Sequence, residues 1–131
     1  AKNVRNIFKH YLVKNRPGHV NGDWASLQDA VNWIRGSGGV AVIAHPGRYK
    51  LTRSKLRQLI SDFITVGGQA LEVHSGSHDN NAARTMANHA KEFDLYASAG
   101  SDFHNPEYCW IQLGQLPPLP ADCKPVWELF L

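Results

Sequence analysis

Val40-Ala41-Val42-Ile43-Ala44-His45-Pro46-Gly47 carries the strongest signal of fold class. Five consecutive apolar residues without alternation form the pattern of a strand buried on both faces, as in a parallel sheet covered by helices. The run stops at a histidine and a turn. The same order recurs twice downstream. Residues 51–66 place Leu56, Leu59, Ile60 and Phe63 on one helical face, and Gly67-Gly68 closes that helix before the strand Ala70-Leu71-Glu72-Val73, which runs into His74-Ser75-Gly76-Ser77-His78. Residues 79–93 place Ala83, Met86, Ala87 and Ala90 inward, and the strand Leu95-Tyr96-Ala97-Ser98-Ala99 then runs into Gly100-Ser101-Asp102-Phe103-His104. Strand ends at His45, His74 and Asp102 are 29 and 28 residues apart, the length of a right-handed βα unit. The expectation is a parallel α/β protein whose ligand sits at the carboxyl ends of the strands.

Upstream of that first run, Ser26 is a good N-cap for a helix over 27–35 with Leu27, Ala30, Val31 and Ile34 in one stripe. Val4, Ile7, Phe8, Tyr11 and Leu12 have helical spacing within 4–14, and Asn15-Arg16-Pro17-Gly18 stops that helix. Downstream, a shorter strand near 110–114, a Pro-rich stretch over 116–120 and a helical turn over 125–131 complete the chain. Trp24, Trp33, Trp110 and Trp127 could stack on bases, but the ordinary expectation for scattered tryptophans in such a fold is the core.

The chain has 131 residues, 43% hydrophobic and 19% charged, with a net charge of +3. That is one domain with enough apolar content for a core, which excludes a disordered tail, and no apolar run approaches the roughly 18 residues of a membrane helix. The slight positive excess suits an acidic substrate such as a phosphate ester without requiring nucleic acid. Cys109 and Cys123 fit no CxxC spacing, and no leader-like stretch follows Ala1. A reduced, cytoplasmic setting is expected.

The chemistry-bearing residues gather on one rim. Asp102 and His104, at i and i+2 after a strand, are expected to point the same way. A carboxylate with an imidazole is a ligand pair suited to Zn²⁺, Mn²⁺ or Fe²⁺. The plain alternative makes Asp102 a helix cap and His104 a surface residue; His45 on a neighbouring strand end favours the metal site. Arg48 and Lys50 follow His45 on the same loop, where Arg48 suits a phosphate and would otherwise be a solvated basic residue. Ser75 and His78 could donate to a second phosphate beside a helix amino terminus. His74 reads as packed, and His10, His19 and His89 as structural or exposed.

Ala44-His45-Pro46-Gly47-Arg48-Tyr49, Leu71-Glu72-Val73 and Ala97-Ser98-Ala99-Gly100-Ser101-Asp102-Phe103-His104, in that order and spacing, resemble the C-terminal motifs of the PHP (polymerase and histidinol phosphatase) family of metal-dependent phosphoesterases. The likeness spans residues 24–131, and is nearest the branch acting on nucleoside 3′,5′-bisphosphates and 5′-phosphorylated short RNA. It implies the C-terminal part of a distorted (βα)₇ TIM-like barrel, with residues 1–23 as the end of an insertion and a linker. It also implies two or three divalent ions (Mn, Zn, Fe or Mg), with His45, Asp102 and His104 as ligands and metal-activated water as nucleophile. No side chain need be the nucleophile. The family's HxH pair and its metal-bridging Glu do not occur here, so the resemblance implies a C-terminal fragment, inactive by itself and prone to self-association through the edge where the other half of the barrel belongs. The alternative from another class is a non-catalytic PHP-like module that binds a nucleotide or a partner.

Overall fold

Ala70–Ser75 forms the central strand β2, and its composition explains why it is central. Ala70, Leu71, Val73 and Ser75 are buried, and only Glu72 and His74 are partly accessible. In this computed structural model, which describes residues 3–76, 78–107 and 112–130 apart from the Arg5 side chain, β2 lies between β1 (Val42–Ile43) and β3 (Tyr96–Gly100). Both pairings are parallel, with Val42 opposite Ala70 and Leu71 opposite Ala97. The register slips between Glu72 and His74, a bulge at the carboxyl end of β2. Such bulges re-aim side chains near functional rims.

The connections are the expected helices. After the short α1 (Val4–Ile7), α2 (Leu27–Gly36) starts at Ser26, whose hydroxyl accepts from the Asp29 amide at 3.1 Å. α3 (Arg53–Thr65) starts at Thr52, which caps the Lys55 amide, and α4 (Asn80–Glu92) at Asp79, whose carboxylate accepts from the Ala82 amide at 2.7 Å. Each cap satisfies a backbone donor that the first helical turn leaves without a partner. Leu56, Ile60 and Phe63 of α3 and Met86, Ala87 and Ala90 of α4 pack with Leu71, Val73 and Ala97 into one core, to which Val31 of α2 also belongs. The alanines of α4 let that helix lie close on the sheet. A bridge from Ala97 to Pro125 and a 3₁₀ turn over Val126–Phe130 bring the C-terminal stretch against β3.

Several expectations need correction. The apolar run 40–44 yields only two strand residues, because β1 pairs with β2 alone among the described residues and lacks a second neighbour to extend its ladder. The amino-terminal helix is four residues of α1 followed by a π-helical turn over Phe8–Leu12, and its stripe is not buried: Val4, Phe8 and Tyr11 are exposed. Of the α2 stripe only Val31 is buried, and Leu27 and Ile34 remain partly open. Trp24, Trp33 and Trp127 are exposed rather than in the core, since no described element covers them. The strand expected near 110–114 falls partly outside the described residues, as does Trp110, and Gln112–Gly114 is not strand. No described helix is long and apolar enough to cross a membrane.

Candidate metal and phosphate site

His45 ends β1 in a left-handed backbone conformation, φ 33° and ψ 52°, immediately before the 3₁₀ turn Pro46–Arg48. Asp102, just past β3, is also left-handed, at φ 53°. Such conformations cost a non-glycine residue about 1–3 kcal/mol and persist only where the surroundings enforce them, which is why they collect at functional sites. Among the described residues the other two non-glycine positions with positive φ, Asn15 and Asp94, sit in the turns that follow helices. The two on the rim are candidate metal ligands from separate βα units.

For His45 the enforcement is visible. Its backbone amide donates to Glu72 Oε2 from the adjacent strand, and its ring meets Tyr49 edge to face at 6.1 Å. Burial and, secondarily, the Glu72 carboxylate push the Tyr49 phenol above its ordinary range, keeping it neutral. Nδ1 of His45 is buried and, among the described residues, has no hydrogen-bond partner. An unpaired imidazole nitrogen at a strand end is chemically suited to a divalent cation.

Asp102 and His104 do come together, but by a turn rather than by extended alternation. The left-handed Asp102 lets His104 Nδ1 reach the Asp102 carbonyl at 2.6 Å, while the same nitrogen lies 3.7 Å from Asp102 Oδ1. A carbonyl can only accept, so Nδ1 carries a proton, and the neutral ring then has its lone pair on Nε2, the tautomer a metal requires. Asp102 Oδ2 accepts from Arg48 Nη1 at 2.8 Å, which ties the loop after β1 to the loop after β3. His45, Asp102 and His104 thus present donors chemically suited to divalent ions, yet among the described residues no three His, Cys, Asp or Glu side chains converge to hold one. The donors fit shares of metal sites, not a complete one.

The phosphate candidates divide. Arg48 is half exposed, with donors left over after its bond to Asp102. Ser75 is buried at the end of β2 and lines a cleft of 130 Å³ with Gly76, His78, Ser101, Gln112, Gln115, Leu116 and Pro117. His78 has both ring nitrogens engaged internally: Nδ1 donates to the Val73 carbonyl at 3.0 Å, and Nε2 accepts from the Gly47 amide at 3.1 Å. Glu72, absent from the sequence-based set of site residues, touches the site through the backbone of His45. The one signal in the sequence was a lone acidic residue inside an otherwise apolar strand. His89 is buried on α4 beside Glu92, Arg57 and Arg53, and His19 bonds within its own loop, so neither belongs to the rim.

The chain is similar to known proteins over nearly its whole length. The 3′,5′-nucleoside bisphosphate phosphatase of Chromobacterium violaceum is 49% identical over 128 residues, which is 98% of this chain and 45% of that protein. This likeness bears out the resemblance to the PHP family that the strand-end motifs carry. The 5′-3′ exoribonuclease Rnm of Escherichia coli is 40% identical over 131 residues, 99% of this chain and 44% of that protein. The chain also superposes, with a TM-score of 0.84 and 48% identity, on an amidohydrolase from Chromobacterium violaceum solved with bound sulfate and no metal, covering 98% of this chain and 44% of that one. It spans less than half the length of these relatives and corresponds to the C-terminal part of the barrel. No family model matches it.

Proposed function

We propose that this chain forms part of a metal-dependent phosphoesterase that hydrolyses phosphate esters of nucleotides, namely nucleoside 3′,5′-bisphosphates, 5′-phosphorylated short RNA, or both. The observation that carries the reading is the meeting on one rim of His45, with its orphaned Nδ1, and the Arg48–Asp102–His104 chain. The names of the relatives support the same chemistry. His45, Asp102 and His104 would each hold a divalent ion with ligands from outside this chain. Such ions supply Lewis acidity toward phosphoryl oxygens and water.

The remaining tasks fall to residues of this chain. Arg48 binds a phosphate through its free guanidinium donors and offsets its charge, and Ser75 contributes polar lining to the neighbouring cleft. With both of its ring nitrogens occupied, His78 acts by holding the loop that carries Arg48 rather than by touching substrate. The unpaired side of β1, together with exposed Trp33 and half-exposed Ile34, favours association with further strands, either the rest of a barrel or another copy. A cytoplasmic setting fits the free Cys123.

The test is hydrolysis by the full-length protein, supplied with Mn²⁺, Zn²⁺ or Mg²⁺, of a nucleoside 3′,5′-bisphosphate and of a short 5′-phosphorylated RNA. Metal-dependent release of phosphate or mononucleotide is the expected result. Binding of either compound without turnover under every metal would favour the non-catalytic module.

A further inference from the structure

We propose that Glu72 is a positioning residue for the metal and phosphate site: its carboxylate holds the His45 amide, and His78 holds the Gly47 amide, so that β2 and the loop after it clamp residues 45–48 at two points. The proposal rests on the reading of His45 as a ligand and Arg48 as a phosphate binder. Glu72 lies on the central strand, one residue before the bulged part of the ladder, and is only partly accessible. A carboxylate at that depth on an apolar strand is costly unless it is satisfied. The donor that satisfies it is a main-chain amide 27 residues away, at the residue where the chain turns left-handed. The bond therefore fixes the backbone from which the imidazole projects, and among the described residues no hydrogen bond to Nδ1 does the same.

Two glycines leave room for the clamp. A Cβ at Gly100 would stand 2.8 Å from Glu72 Oε1, and a Cβ at Gly47 would stand 2.8 Å from His78 Nε2 and 2.9 Å from its Cδ2. Neither glycine has positive φ, so close approach, and not backbone conformation, is what the missing side chain serves at both. The charge on Glu72 is not needed for this task. An amide oxygen at the same place accepts the same hydrogen bond.

The experiment uses the ¹⁵N-labelled full-length protein and the variants Glu72→Gln, Glu72→Ala and Gly100→Ala. Metal-free protein is read first, by the proton shift and hydrogen exchange of the His45 amide. Divalent binding is then measured by Mn²⁺ titration. The expected result is a downfield, protected amide in the wild type and in Glu72→Gln. In Glu72→Ala and Gly100→Ala the amide moves upfield and exchanges faster, with Mn²⁺ bound about 10- to 100-fold more weakly in both and near-wild-type binding in Glu72→Gln. An unchanged amide in Glu72→Ala overturns the clamp. Equal loss of Mn²⁺ affinity in Glu72→Gln and Glu72→Ala overturns it in favour of a direct ionic role. A perturbed amide with unchanged Mn²⁺ affinity overturns the positioning role. Wild-type protein that takes up no divalent ion removes the ligand reading itself, and is seen before any variant is compared.

Discussion

Replacing Arg48 by Ala should move two ligands in opposite directions. In the structure the guanidinium sits 2.8 Å from the Asp102 carboxylate, with side-chain exposures of 54% and 18%. An ion pair that open to water contributes about 0.2–1 kcal/mol. Removing it should therefore cost little stability and should free Asp102 for a cation, tightening divalent binding by up to about fivefold, the equivalent of 1 kcal/mol. A substrate phosphate that loses a charge-assisted partner loses about 1.5–3 kcal/mol, or roughly 10- to 150-fold in kcat/KM. Because a phosphate that is held but not cleaved is contacted equally in ground and transition states, the loss should appear mainly in KM. Calorimetric Mn²⁺ titration of the full-length protein reads the first effect, and steady-state kinetics on a nucleoside 3′,5′-bisphosphate beside a nucleoside monophosphate read the second. The bisphosphate should suffer and the monophosphate should not. Weaker Mn²⁺ binding in Arg48→Ala would show that the guanidinium organises Asp102 instead of competing for it, and equal losses on both substrates would place Arg48 on the reacting phosphate.

Residues 1–131 alone should bind Mn²⁺ or Zn²⁺ weakly, since no described trio of ligand-type side chains converges; submicromolar affinity in a calorimetric titration would contradict this. Ile60 is fully buried in the α3 face of the core, so Ile60→Ala should cost about 2–5 kcal/mol in urea denaturation, and a loss under 1 kcal/mol would mean that the site collapses around the cavity. For His89, burial lowers the imidazole below its ordinary 6.5 against a smaller upward pull from Glu92, with Arg57 and Arg53 lowering it further. The unfolded chain then takes up the proton first, so His89 destabilises the fold as pH falls through 6.5 and ceases to add to the slope below its folded value. Thermal melts between pH 7.5 and 5 should fall more steeply in wild type than in His89→Leu, and identical slopes would show that His89 titrates alike in both states.

The repeating unit is legible in the local sequence. Apolar runs without alternation, helix stripes at 3.6 spacing and the caps Ser26, Thr52 and Asp79 are local properties, and β2, β3 and α2 to α4 stand where those signals put them. The sequence also placed His45, Asp102 and His104 on one rim, because parallel strands joined by βα crossovers send their carboxyl ends the same way. The rest depends on which segments pack together. The length of β1 depends on neighbours, and having one instead of two leaves it two residues long. Whether Trp24, Trp33 and the stripe of α1 are buried depends on what covers them, which helical spacing does not encode. The left-handed turns at His45 and Asp102, the hold of Glu72 on an amide 27 residues distant and the taking up of both His78 nitrogens arise only when three strand ends meet. A side chain's type is written in the sequence, whereas the partner that completes its hydrogen bonds is fixed by which segments fold next to one another.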